Sequence, residues 1–221
     1  MKKLLFKVLL FSIFTTTIVP QIAKGIEANG YIITEKWDTV FGTVRLSKFQ
    51  NGRVLLNGFD LETLQYQVSF RGKDDRKYRT HYPGTIAGFG FTYEYEDYSF
   101  TSFVIDYKSV VPNDKQRNRF LCRVYHGKLN LYRNIITVNN PSAFNNQSDF
   151  TTFYEFFLQN STKGLLKVQR TKEIQSIRDL LRQFDVDEKF IGEVPMYTDM
   201  DEIRKVLQQY DKWLAMQNVA I

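Results

Sequence analysis

The sequence predicts a mainly β protein, α+β overall. The expected form is an antiparallel meander making a sandwich or small barrel, with two C-terminal amphipathic helices packed on it. Three observations predict this. Between Tyr31 and Gln169, apolar residues recur at every second position in short runs, the period that gives a strand one core face. Gly, Pro, Asn and Asp punctuate these runs at the spacing of a sandwich or barrel. After Arg170 the apolar spacing turns helical. The chain also holds 19 Phe and 13 Tyr, residues that pack well on a pleated surface.

The first element is a predicted address. Lys2 and Lys3 precede an apolar run, and Ala23-Lys24-Gly25 is a small-x-small cleavage pattern, so residues 1–25 read as a cleaved secretory signal peptide. Val8 to Val19 is an uncharged run of 12 residues, short of the ~20 that span a bilayer. No cysteine lies near the cleavage point to carry a lipid anchor. Removing the leader takes four of the 30 basic residues and no acid. The remaining 26 Lys and Arg against 24 Asp and Glu give no basic stripe of the kind nucleic acid requires. Lys73, Arg76, Lys77 and Arg79 are interleaved with Asp74 and Asp75 and read as a solvated turn.

Residues 26–170 form the expected β-rich domain. Tyr31 to Thr34 is a strand, Lys36 to Thr39 a turn, and Val40, Gly42, Val44 and Leu46 alternate with Phe41, Thr43 and Arg45 on the return. Asn51-Gly52 is the strongest hairpin signal, because both residues tolerate positive φ, and Arg53 to Leu56 is the expected third strand. Tyr66, Val68 and Phe70 are answered by Tyr78, Thr80 and Tyr82 across a polar turn. Phe89, Phe91, Tyr93 and Tyr95 then share a face, with Gly88 and Gly90 as candidate bulge or bend positions. Tyr98 to Tyr107 is a further strand, and Val111 to Asn118 a loop. Phe120 to Tyr125 and Leu129 to Tyr132 flank His126-Gly127-Lys128 as a hairpin. Val138 to Asp149 is rich in Asn and Ser and reads as a loop. Phe150 to Leu158 and Leu165 to Gln169 pair across Asn160 to Gly164.

Residues 171–221 form a helical region expected to pack on the same domain. Ile174, Ile177, Leu181 and Phe184 fit one helix with Thr171 as N-cap. Asp199 and Glu202 resemble a capping box before the stripe Ile203, Val206, Leu207, Tyr210 and Leu214.

Little in the chain carries recognisable chemistry. His81 and His126 are the only histidines, and no zinc spacing, phosphate loop, dinucleotide fingerprint or nucleophile elbow is present. No cofactor and no metal are therefore expected. Cys122 is the single cysteine and alternates with Phe120 and Val124, which reads as a small buried hydrophobe. Asn146-Gln147-Ser148 and Asn160-Ser161-Thr162 match the glycosylation sequon. The densest local cluster is Tyr93-Glu94-Tyr95-Glu96-Asp97-Tyr98. On a continuous strand Glu94 and Glu96 share one face and Tyr93 and Tyr95 the other, so Tyr93, Glu94, Tyr95 and Glu96 are the candidate ligand-binding residues. No catalytic residue is assigned.

GYIITxxxDTxxGxV, here Gly30 to Val44, resembles the opening of uncharacterised exported β-rich proteins common in Bacteroidetes-type bacteria. Ile86-Ala87-Gly88-Phe89-Gly90 and Gly127-Lys128-Leu129-Asn130-Leu131-Tyr132 resemble later IxGFG and GKLxLY elements of the same family. Trp37 stands where those proteins more often have Gly before Asp-Thr. The resemblance implies export in a two-membrane bacterium and brings no established activity.

The expected function is that of an exported cell-envelope protein, periplasmic, outer-membrane-associated or secreted, acting as a non-catalytic binding or scaffolding module. Its expected partner is an envelope protein, glycan or lipid; contact with a membrane surface is compatible, and no transmembrane segment is expected after the leader. The alternatives are a small glycan hydrolase using an acidic pair near Glu94 and Glu96, and a β-barrel carrier of a small apolar ligand.

Overall fold

The computed structural model describes residues 25–50, 53–54, 58–105, 118–141, 148–171 and 174–219. The predicted leader therefore lies outside the described residues, apart from Gly25. So do Asn51-Gly52, most of the predicted loop after Val111, and the first two residues of the Asn146 sequon.

The strands are β1 (Ile26–Ile33), β2 (Thr39–Leu46), β3 (Phe49–Gln50), β4 (Arg53–Val54), β5 (Val68–Gly72), β6 (Arg79–His81), β7 (Gly88–Tyr93), β8 (Glu96–Val104), β9 (Asn118–Tyr125), β10 (Asn130–Pro141), β11 (Ser148–Gln159) and β12 (Leu166–Lys167). Ten of them form one antiparallel sheet in the order β12-β11-β10-β9-β8-β7-β1-β2-β5-β6. The expected β-rich class is what the chain adopts, but the sheet does not close into a barrel. Its two edges, β6 and β12, have three and two residues. Its inner face is covered by an irregular segment and by helices rather than by more sheet.

The meander also departs from sequence order. β3 and β4 form a separate two-stranded piece, with Gln50 opposite Arg53. The third strand beside β1 and β2 is β5 rather than β4, with Gly42 opposite Gly72. β7 then returns to the free side of β1, with Tyr31 opposite Gly90. Gly88 and Gly90 are regular ladder positions. The register shift falls instead between Leu131 and Tyr132 on β10. The described ends of the Asn-rich segment predicted as a loop, 138–141 and 148–149, continue the long β10–β11 hairpin, whose register runs out to Pro141 opposite Ser148; residues 142–147 lie outside the described residues.

The β1–β2 connection shows local sequence and tertiary demand at odds. The Thr34 and Trp37 N–H groups donate to the Asp38 and Thr34 carbonyls at 2.9 and 3.0 Å. Trp37 itself has φ 66°, a left-handed conformation that costs a side-chain-bearing residue roughly 1–2 kcal/mol. Glycine occupies that region at little steric cost.

The main core is aromatic. Phe89 and Phe100 stack at 4.6 Å between centroids and Phe120 meets Phe89 edge-on at 5.0 Å; all three are almost fully buried. The segment 58–67 folds over this face. Phe59 sets its ring edge-on against Phe91, Tyr93 and Tyr98 at 5.2–5.3 Å. A 3-10 turn, Thr63–Gln65, then brings Gln65 to β10, where it donates to the Ile135 carbonyl at 2.7 Å and accepts from the Ile135 N–H at 2.5 Å. Cys122 is buried in the same core, and burial pushes its thiol up.

Among the described residues the helical region holds three helices, not two: α1 (Ile177–Arg182), α2 (Glu188–Glu193) and α3 (Ile203–Val219). The cap of α1 is Ser176, not Thr171: the Asp179 N–H donates to Ser176 Oγ, and Asp179 Oδ2 accepts from the Ser176 N–H. Thr171 Oγ1 accepts from the Ile174 N–H one turn earlier. Asp199 caps a 3-10 turn, Met200–Glu202, that leads into α3. The apolar stripes are buried as expected. Ile177, Leu180, Ile203, Val206, Leu207 and Tyr210 pack with Leu129, Leu131 and Leu158 of the sheet. The short α2 was not legible because its six residues carry too little periodic signal, although Phe190 and Ile191 are core residues. No described helix is long and apolar enough to cross a membrane.

Candidate binding site

Strand alternation sends one set of side chains from β2, β1, β7, β8 and β9 into the aromatic core. Of the other set, Leu121 of β9 packs with Ile105, Tyr132 and Phe157 in a small separate core, while part faces an open trough of about 790 Å3. Two cross-strand rows build it. The first runs Phe41, Tyr31, Gly90 and Ser99 by direct pairing. Phe100 pairs with Cys122, so Ser99 lies opposite Arg123, the last member of the row that lines the trough. Gly90 lets the row close down: a Cβ there would sit 2.5 Å from the Tyr31 hydroxyl oxygen and 2.6 Å from Cζ. The Tyr31 ring therefore lies across the glycine, and the Phe41 ring meets it edge-on at 6.3 Å. Phe41 is 60% exposed. The result is an aromatic ledge, a floor of small residues and a guanidinium.

The second row is polar. Gly30 pairs with Phe91, which sets Asn29 opposite Thr92, and Thr92 pairs with Asp97. Thr92 Oγ1 donates to Asp97 Oδ1 at 2.6 Å. Asp97 is the one carboxylate among the described residues that line the trough.

Lys73, from the β5–β6 turn, and Tyr125 and His126, from the end of β9, form the rim. The helical region fastens that rim. Asp211 on α3 accepts from the Tyr125 hydroxyl at 2.6 Å and from the Lys128 N–H at 3.1 Å. Burial, with the hydrogen bond to Asp211 and its charge, pushes the Tyr125 phenol up to about 12, so it stays a donor. His126 Nδ1 lies 2.6 Å from Asn130 Oδ1.

The four predicted ligand residues lie just beyond this trough. Glu94 and Tyr95 are not on a continuous strand. They form the two-residue turn between β7 and β8, with φ of 49° and 66°, and both are exposed. Tyr93 pairs with Glu96 to close the hairpin. Glu94 and Glu96 therefore do not share a strand face. Tyr93 rests against Phe59, and Glu96 accepts from the Tyr98 hydroxyl at 2.8 Å. Burial first, then Glu96, pushes the Tyr98 phenol up to about 12. A Glu-Tyr turn carries none of the Asn-Gly or Asp-Gly chemistry of such hairpins. Stacking of Phe89 on Phe100 and of Phe91 on Tyr98 sets the register and imposes the two left-handed residues.

The clustering of Tyr and acid thus marked the end of the hairpin whose next pair, Thr92 and Asp97, does line the trough. Tyr31, Phe41, Ser99 and Arg123 went unrecognised as site residues. The available signal was Phe41, an aromatic in the set that also contains Thr43 and Arg45. His81 lies on β6, with its pKa lowered by burial and by Arg79. Among the described residues no group of His, Cys, Asp and Glu is arranged to hold a metal. Comparison with protein-family models, with curated proteins and with solved structures finds no match to this chain.

Proposed function

We propose that the protein is an exported cell-envelope binding module and that the trough takes an envelope glycan. The observation that carries this reading is the half-exposed aromatic ledge of Tyr31 and Phe41 beside the polar row Asn29, Thr92 and Asp97. Ring faces of that kind stack on the apolar face of a sugar, and amide, hydroxyl and carboxylate groups match its hydroxyls. Glycoside hydrolysis canonically uses two carboxyl groups flanking the bond; a trough in which Asp97 is the one carboxylate among the described lining residues favours binding without turnover. Export rests on the predicted leader and agrees with the resemblance to exported β-rich proteins.

A two-part experiment tests the proposal. Protein recovered from the producing cells should begin at Ile26 and fractionate with the envelope. A ligand that binds only the folded state raises the melting temperature, so an envelope glycan extract should raise it for the wild type. Phe41→Ala should lose most of that shift. Cytosolic protein with an intact leader would contradict export. A shift unchanged in Phe41→Ala, or turnover of the glycan, would contradict the binding assignment.

A further inference from the structure

We infer that the trough selects an acidic saccharide, a pyranose carrying a carboxylate or phosphate, with its ring on the Tyr31–Phe41 ledge and its anion on Arg123. This rests on the trough being the ligand site and adds the charge of the ligand.

One row of the trough has unequal ends. Phe41 and Tyr31 stand at one end, Arg123 at the other, and Gly90 and Ser99 between them. Neighbouring strands lie about 4.8 Å apart, so β1 and β9, three strands apart in the sheet order, are about 14 Å apart along the row. Tyr31 leans over Gly90 and Arg123 extends from the far side. A strand separation of about 14 Å matches the length of one or two sugar rings, and Ser99 between them is small.

Arg123 is half-buried and has no acidic partner among the described residues. The nearest candidate in the trough, Asp97, is turned to Thr92 instead. Partly burying a guanidinium without a counter-ion gives up part of its hydration. An incoming carboxylate or phosphate restores it through paired, charge-assisted hydrogen bonds. Lys73 on the opposite rim also lacks an ion pair among the described residues, so the described lining of the trough holds two cations against one acid. Asp97 in the polar row disfavours a polyphosphate chain along the floor and suits a ligand with donor hydroxyls there.

The test is calorimetric titration of the purified protein with tetragalacturonate, neutral galactotetraose and glucose 6-phosphate. Tetragalacturonate or the sugar phosphate should bind about tenfold or more tightly than the neutral sugar, and the advantage should shrink as salt rises. The two acidic probes distinguish carboxylate from phosphate as the favoured anion. Arg123→Gln should abolish the preference, bringing the acidic sugars down to the affinity that the same variant has for galactotetraose. Lys73→Gln, at an exposed turn, should reduce the acidic affinity several-fold with no risk to folding. Equal affinity for neutral and acidic sugars, unmoved by either variant, would overturn the charge assignment and leave the trough as a neutral-glycan site. Failure of every saccharide to bind, with the wild type folded, would overturn both readings.

Discussion

Replacing Gln65 with leucine should destabilise the protein by about 2–5 kcal/mol, although the two side chains are close in volume. The reason is a gap in the sheet. β9 and β10 pair from Leu131 to Arg133, and beyond that point Ile135 finds its partner in the fully buried Gln65 side-chain amide. That amide bonds the Ile135 N–H and C=O together, as an adjoining strand would. Leucine leaves both groups buried and unpaired, at roughly 1–3 kcal/mol each. Urea unfolding should show a lower midpoint with an unchanged slope. A loss below about 0.5 kcal/mol would mean that the 58–67 segment does not hold β10 in this way.

Gly42→Ala should cost about 3 kcal/mol, at the upper end for an added methyl group in a packed interior. A Cβ at Gly42 would lie 2.1 Å from the Arg71 carbonyl oxygen and 2.6 Å from Phe70 Cζ. The first is backbone in the neighbouring strand and cannot rotate away. β2 and β5 would have to separate where Gly42 opposes Gly72, opening the core around Phe70. Thermal unfolding should drop by roughly 6–12 °C, given about 2–4 °C per kcal/mol at this size. A variant melting within a degree of the wild type would contradict the close approach of the two strands.

These two positions also show what was legible in the sequence. Gly42 belongs to a period-two run, and its place on a core-facing set was readable from Val40, Val44 and Leu46. Strand identity followed the same rule almost throughout, because burial on one face writes itself into alternation. Gln65 was not readable. Its role depends on a partner 70 residues away, and no local pattern distinguishes it from a surface glutamine. The Glu94-Tyr95 turn failed for a related reason: aromatic stacking between β7 and β8 overrode weak local turn chemistry, whereas alternation through Tyr95 suggested continued strand.

The trough was legible only in halves. Each strand announced which residues face away from the core, yet nothing announced that β7 would cross to the far side of β1. That one topological step brings Tyr31 and Phe41 into a row with Ser99 and Arg123. Sequence clusters report residues that are neighbours along the chain, and this site is assembled from residues that are neighbours across it. The helical region reads the other way. The α3 stripe was clear from its spacing, while its second duty, fixing the trough rim through Asp211, Tyr125 and Lys128, rests on one carboxylate on its half-buried flank.

The central claim is that ligands enter the trough rather than the β7–β8 turn. The most direct measurement is an amide chemical-shift map of the isotopically labelled protein titrated with tetragalacturonate. The account predicts the largest changes at Tyr31, Phe41, Ser99 and Arg123, with Glu94 and Tyr95 nearly still. Changes confined to Tyr93 through Glu96, or to the exposed face of α3, would contradict it.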